Sequence, residues 1–170
     1  MIFTDYDGNV QKVIQADSNN RTYNYASVAP TGETILTGNL RIAGQFGNIG
    51  WGLISMLDQN GELLWSKRAT ANESGGFTGV FTDGEIIYAT FTSYNFFSST
   101  QFWNASVIAY DMSGNVLWNR PVGYPGFVSN FYFRASTIAE NGDFIGVIDV
   151  GGSQNVQATG VVVVRVTPSG

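Results

Sequence analysis

The stretches Asp58-Gln-Asn-Gly-Glu-Leu-Leu-Trp65 and Asp111-Met-Ser-Gly-Asn-Val-Leu-Trp118 carry the same motif, and its recurrence is the main indication of the fold. A further copy, without the tryptophan, begins at Asp5. The glycines of the three copies, Gly8, Gly61 and Gly114, follow one another at intervals of 53 residues. A repeat near fifty residues is typical of stacked supersecondary units, so the chain is predicted to be a repeat protein.

The repeat divides a single domain, residues 1–170, into segments 1–49, 50–103 and 104–158, with a fourth beginning at 159–170. Within the second segment, apolar runs bounded by turn residues predict strands at 50–57, 62–67, 77–81 and 85–91. Tight turns join them at Asp58-Gln-Asn-Gly61 and at Asp83-Gly84, because Asp accepts backbone hydrogen bonds and Gly supplies positive φ.

The second tight turn of the other segments is predicted at Pro30-Thr-Gly32 and at Asn141-Gly142. Each segment is therefore expected to be a four-stranded antiparallel meander, with two short turns at one end and two longer connections at the other. The looser stretch 69–76 and the linker 92–103 are assigned to the longer connections.

Composition excludes several classes of function. The net charge of −5 offers no basic surface for nucleic acid. The chain has no cysteine and no histidine, which removes thiolate metal sites, the commonest metal ligand and the commonest general base. No apolar run approaches the roughly 20 residues of a membrane span. No signal peptide is visible, and Met1 falls inside the first strand of the first repeat.

Four-stranded units in radial repetition are the blades of a β-propeller. We therefore expect an all-β chain of three propeller blades of about 53 residues each, with a twelve-strand β-sandwich as the rival. Propellers usually have about four to eight blades, so three must be completed. Two chains closing a six-bladed ring is the favoured outcome. A part of a longer propeller and a nine-bladed trimer are the alternatives.

The two ends of the sequence suggest how a ring could close by self-association. Residues 1–5 are the tail of a first strand, and 161–166 are the same strand of the next blade. The C-terminal strand is expected to pair with the first blade of a neighbouring chain. Such a contact is heterologous and closes by symmetry.

The motif Leu/Tyr-Asp-x-x-Gly-Asn-x-x-Trp, taken from residues 57–65 and 110–118, resembles the short β-propeller repeats of bacterial secreted and surface proteins, the SBBP type. The resemblance covers nearly the whole chain. It implies a propeller located outside the cell or in the bacterial cell envelope, with no particular activity. The motif is also similar to pyrroloquinoline-quinone-type repeats, but its Asp-to-Gly spacing is three rather than four in every copy.

Two repeated residues have structural interpretations. Asp5, Asp58 and Asp111 are predicted to cap turns, with calcium binding as the alternative. Trp65 and Trp118 occupy the same phase of the returning strand, so they are predicted to pack between blades, with sugar stacking as the alternative. Their indole N–H groups then need acceptors.

The unrepeated residues of the long connections are the better candidates for a binding site, because a blade does not need them. Aromatics mixed with Arg, Asn and Ser suit recognition of glycan or protein. The alternative is that they seal blade joints or an oligomer interface. The predicted ligand-binding residues are Tyr94, Phe96, Phe97, Trp103, Tyr124, Arg21 and Arg68.

The sequence is interpreted as a non-catalytic binding or scaffold module of a bacterial surface or secreted protein, without cofactor or metal. One alternative is a fragment of a propeller enzyme, either a quinoprotein-like oxidoreductase or a glycosidase. For a glycosidase, the candidate carboxylates would be Asp17, Glu73 and Asp149. The other alternative is a purely structural repeat segment.

Overall fold

The computed structural model of the chain describes residues 2–4, 10–13, 21–44, 47–69, 74–94, 103–122, 130–151 and 160–170. Across these ranges every regular element is a β-strand, so the predicted all-β class is confirmed. The described residues contain no helix with the length and apolarity that a membrane crossing needs. The strands are β1 (Ile2–Thr4), β2 (Val10–Val13), β3 (Arg21–Val28), β4 (Thr34–Gly44), β5 (Gly47–Leu57), β6 (Leu63–Arg68), β7 (Ser74–Thr82), β8 (Ile86–Tyr94), β9 (Trp103–Asp111), β10 (Val116–Val122), β11 (Asn130–Ile138), β12 (Phe144–Gly151) and β13 (Gly160–Val166).

The strands form three larger antiparallel sheets, none of which is closed. Sheet 1 has the order β3-β4-β5-β6, sheet 2 the order β7-β8-β9-β10, and sheet 3 the order β11-β12-β13. The strands β1 and β2 form a separate antiparallel pair. Sheets 1 and 2 are thus four-stranded antiparallel meanders, as the repeat predicted.

The predicted grouping of strands into sheets is wrong by half a repeat. The strand at 50–57 was expected to begin a sheet, but it belongs to β5, which pairs with β4 from Thr34↔Leu57 to Gly44↔Gly47. Only two residues separate Gly44 from Gly47, so these strands form a hairpin. The chain changes sheets between β6 and β7 instead. The linker assigned to 92–103 contributes its ends to sheet 2, where β8 pairs with β9 up to Tyr94↔Trp103.

The repeated Asp-x-x-Gly turn is capped by its aspartate. The Asp58 Oδ1 atom accepts hydrogen bonds from the backbone N–H groups of Asn60 at 2.9 Å and Glu62 at 2.7 Å. The glycine adopts φ of +76° at Gly61 and +75° at Gly114, a region that L-residues avoid. The predicted role of the aspartate as a turn cap is confirmed at the described copies, and Asp5 lies outside the described residues.

Two hydrophobic cores hold the sheets face to face. The core between sheets 1 and 2 contains Ile54 and Ile87, both fully buried. The core between sheets 2 and 3 is aromatic, with the Tyr88 and Phe144 rings stacked 6.0 Å apart between centroids. Burying each large apolar side chain contributes about 1.5–3 kcal/mol, so these two interfaces hold the three sheets together.

The repeated tryptophans lie at these interfaces. Trp65 is half-buried against the first core, and its indole N–H donates to the Met112 carbonyl oxygen at 2.9 Å. Trp118 is partly buried against the second core and donates to the Pro168 carbonyl oxygen at 2.9 Å. The prediction that both pack between blade-like units and find acceptors there is confirmed.

Candidate ligand-binding surface

The sheet topology divides the connections between two ends of the strands. In an antiparallel meander, successive connections alternate between ends, so the Asp-x-x-Gly turns lie opposite the β4–β5, β8–β9 and β12–β13 connections. We call the second end the long-loop end, because the last two of these connections span residues 95–102 and 152–159. Of the predicted ligand-binding residues, those that the structure describes lie at strand termini of this end: Arg21, Arg68, Tyr94 and Trp103.

Two of the predicted binding residues, Tyr94 and Trp103, are direct cross-strand partners. They form the last described rung of the β8–β9 ladder, where the hairpin leaves sheet 2. The β8–β9 ladder therefore pairs the backbones of these two residues beside the 95–102 connection.

Three predicted residues, Phe96, Phe97 and Tyr124, lie outside the described residues. The two remaining ones, Arg21 and Arg68, belong to sheet 1. Arg21 is the first residue of β3 and pairs with Leu40, while Arg68 is the last residue of β6 and pairs with Leu53. Both arginines are exposed.

Trp51, which was not among the predicted binding residues, contacts one of these arginines and shares a rung with the other. The Arg68 guanidinium carbon lies 4.7 Å from the centroid of the Trp51 ring, which is a cation–π distance. Arg21, Leu40 and Trp51 form one rung across β3, β4 and β5. The four residues Arg21, Leu40, Trp51 and Arg68, here called the Trp51 surface, combine a half-buried aromatic ring with two exposed cations.

Trp51 was not predicted as a binding residue because it belongs neither to the repeated motif nor to a long connection. A signal was nevertheless present. Residue 104, one repeat further along, is an asparagine, so a blade does not require a tryptophan at this position. Trp51 lies within a strand rather than in a connection, and binding residues were predicted in the connections.

A chain of hydroxyl groups lies on the same face of sheet 1 as Trp51. The Tyr23 hydroxyl is 2.9 Å from Ser55 Oγ, and Ser55 Oγ donates to Ser66 Oγ at 2.9 Å. Ser55 is fully buried. Because these hydroxyls satisfy one another across three strands, they hold the polar face of sheet 1 in register.

Hydrogen bonds and burial shift the pKa of several described side chains. A hydrogen bond from Arg165, and then one from Asn141, lowers the pKa of Asp143. The backbone N–H and side chain of Asn115 lower the pKa of Asp111. Burial raises the pKa of Tyr110 well above its ordinary value.

The candidate carboxylates are not brought together in the described part of the chain. Asp149, a candidate carboxylate, lies 2.5 Å from Arg134 Nε in an ion pair. Asp17 and Glu73 lie outside the described residues. Within the described ranges, no group of three or more Asp or Glu side chains is arranged to hold a metal ion. The arrangement at the Trp51 surface suits binding by stacking and hydrogen bonding.

Comparisons with known proteins add no assignment. No protein-family model matches the chain, and no curated protein matches it.

Proposed function

We propose that this chain is a non-catalytic binding or scaffold module of a bacterial surface or secreted protein, built from propeller-type blades. Its ligand is a glycan or a protein bound at the long-loop end. The repeat motif and the face-to-face packing of three successive sheets support the blade interpretation. The Trp51 surface supports the binding role.

The observation that carries the proposal is the 4.7 Å contact between the Arg68 guanidinium and the Trp51 ring. An indole presents a flat apolar face on which a sugar ring or an apolar side chain stacks. The Arg68 guanidinium lies over one face of the Trp51 ring, and its planar fork of N–H donors suits hydroxyl, carboxylate or carbonyl acceptors. Exposed Arg21 on the same rung supplies a second set of donors.

The paired residues Tyr94 and Trp103 also support the proposal that the ligand binds at the long-loop end. Aromatic residues are enriched in the centres of protein interfaces and in small-molecule pockets. A blade-like sheet does not require this pair, because the corresponding connection of sheet 1 consists of two residues only.

A glycan array probed with the whole chain, followed by calorimetric titration of the best ligand, tests the proposal. We expect W51A and R68A each to weaken binding about 10-fold or more, a loss near 1.4 kcal/mol. The matched control is Y25A, because Tyr25 is an exposed aromatic of the same sheet away from the long-loop end.

Equal affinities for the parent chain and W51A would refute this location of the site. An array without ligands would refute glycan recognition and would favour a protein ligand or the purely structural alternative.

A further inference from the structure

The four strands of sheet 1 contain no aspartate or glutamate, although the whole chain has a net charge of −5. They carry the cationic residues Arg21, Arg41, Lys67 and Arg68. Every described carboxylate except Asp149 lies away from the long-loop end, in or beside the tight turns. Within the described residues, sheet 1 is therefore positively charged toward its long-loop end, in a chain that is negative overall.

Arg21 and Arg68 lie on the face of sheet 1 that is turned away from sheet 2. The face toward sheet 2 is identified by Gly52, where a Cβ would lie 2.6 Å from an aromatic ring of sheet 2. Trp51 precedes Gly52 in β5, so it lies on the other face, and cross-strand pairing places Arg21 there as well. Arg68 pairs with Leu53, two residues from Trp51, and so shares this face. A ligand can reach both arginines without separating the two sheets.

These two arginines are exposed and have no counter-charge. Among the described residues, the arginines that form ion pairs are Arg134 and Arg165 of sheet 3, and neither Arg21 nor Arg68 forms one. Lys67, by contrast, donates to a carbonyl oxygen in the turn of sheet 2 at 2.9 Å. Lys67 therefore has a structural role at the junction of sheets 1 and 2, whereas the charges of the two arginines are left for another partner.

The contact with Trp51 prepares the Arg68 guanidinium for an anion. The guanidinium carbon lies over the indole ring, 4.7 Å from the ring centroid. This cation–π contact holds the guanidinium in place without occupying a hydrogen-bond acceptor, so its N–H donors remain for a ligand. Carboxylates and similar oxyanions can accept two parallel N–H bonds from one guanidinium, and these charge-assisted bonds are strong.

We propose that the Trp51 surface binds a glycan whose sugars carry acidic groups, either carboxylate or sulfate. The acidic groups pair with Arg68 and Arg21, and a sugar ring contacts the indole of Trp51. The absence of described carboxylates from sheet 1 supports this class, because an anion meets attraction there and no repulsion. The inference rests on the proposed binding function and narrows its ligand.

The small apolar area around Trp51 favours a glycan over a protein. A protein interface covers about 800 Å² per partner, and its fully buried centre is apolar. Leu53, the next apolar side chain along the same face, is only 3% exposed and offers little area for contact. A single indole is sufficient for a sugar ring, which needs one apolar surface and several hydrogen-bond partners. A neutral glycan would leave the charges of both arginines uncompensated.

A glycan array in which each acidic glycan is matched with its neutral counterpart tests the inference, with the whole chain applied to the array. The pairs are uronic acid glycans with their methyl esters, and sulfated glycans with their desulfated forms. We expect acidic members to bind, each about 10-fold or more tightly than its neutral counterpart in calorimetric titration. The pair that shows the preference distinguishes carboxylate from sulfate recognition.

Neutral substitutions test whether the two arginines are responsible for the preference. We expect R21Q and R68Q each to weaken binding of the acidic glycan about fivefold or more, and to affect its neutral counterpart less. R134Q is the matched control, because it removes the same charge from an arginine that already has a carboxylate partner. R68K keeps the charge and should retain part of the preference, which separates loss of charge from local disruption.

The dependence on salt provides a second readout that needs no variant. Raising the ionic strength from about 0.1 M to about 1 M shortens the Debye length from about 10 Å to about 3 Å. We expect this change to weaken binding of the acidic glycan and to leave the neutral counterpart nearly unaffected. Equal salt dependence of the two members would contradict recognition of the charge.

An acidic preference that R21Q and R68Q reduce and R134Q leaves unchanged supports the inference. Equal affinities for acidic glycans and their neutral counterparts overturn it, and binding that W51A still weakens then leaves the proposed binding function intact. Poly-glutamate bound as tightly as the acidic glycan overturns the glycan class, because charge alone would then be sufficient. An array without ligands overturns the inference together with glycan recognition.

Discussion

The indole N–H of Trp65 in sheet 1 donates a 2.9 Å hydrogen bond to the Met112 carbonyl oxygen in the turn of sheet 2. Trp118 repeats the arrangement one sheet later, at Pro168. In both cases the acceptor is the second residue of the motif turn. The tryptophan of one sheet thus forms a hydrogen bond with the turn of the next sheet, in addition to filling the interface between them.

Replacing Trp65 with phenylalanine should preserve most of the apolar packing and remove the donor. The Met112 carbonyl then loses its partner, and we expect a loss of about 1–2 kcal/mol in the free energy of unfolding. Urea denaturation measures this loss. The control Y25F alters an exposed ring and is expected to change stability by less than about 0.5 kcal/mol. A W65F chain as stable as the parent would show that the hydrogen bond contributes nothing.

Gly114 is predicted to be intolerant of a side chain for two independent reasons. Its φ is +75°, and a Cβ placed there would lie 3.0 Å from the Trp65 ring. We expect G114A to lower the free energy of unfolding by more than about 1 kcal/mol. G160A is the matched control, because a Cβ at Gly160 meets no atom within 4 Å. Similar stabilities of the two variants would contradict this account.

Asp58 organises its turn by accepting backbone hydrogen bonds from Asn60 and Glu62. D58A removes both, and we expect a loss of about 1–2 kcal/mol by thermal or chemical denaturation. D58N keeps one side-chain oxygen as an acceptor and should recover part of the loss. If D58N is no more stable than D58A, the charge rather than hydrogen-bond acceptance is the important property.

The lowered pKa of Asp143 predicts how stability depends on pH. A carboxyl whose folded pKa lies below its unfolded value, about 3.9, contributes stability above that value and loses it as pH falls through the folded pKa. We therefore expect the stability advantage of the parent chain over D143N to be full near pH 7 and to shrink below about pH 4. Denaturation at several pH values measures this difference, with the exposed-site variant E140Q as control. A constant advantage down to the acid end would contradict the ion pair with Arg165.

Features that depend on a few neighbouring residues could be predicted from the sequence. The Asp58 cap and the positive φ of Gly61 are properties of a four-residue turn, and the residue types in that turn are sufficient to predict both. The position of Trp65 between sheets followed from its return at Trp118. The pairing of β5 with β4 could not be predicted from the sequence. A strand that has a hairpin on each side gives no local sequence signal of where its sheet ends.

The candidate site was predictable only in part, for a similar reason. Tyr94 and Trp103 stood out because they flank a long aromatic connection, but their direct pairing depends on the β8–β9 register. The contact between Trp51 and Arg68 joins two strands whose residues are 17 apart, and only the pleat decides that both lie on one face. Contacts of this kind depend on how the strands pair, and that pairing is a property of the whole sheet.

The bond from each tryptophan to the next turn has a consequence for how such a chain can change over evolutionary time. The unit that contains sheet 2 carries both a donor for the turn that follows it, Trp118, and an acceptor for the tryptophan that precedes it, Met112. A duplicated unit would therefore arrive with both halves of its junctions already encoded. Gene duplication or deletion could therefore change the number of units without requiring a new interface. The number of sheets can then evolve independently of the structure of each sheet.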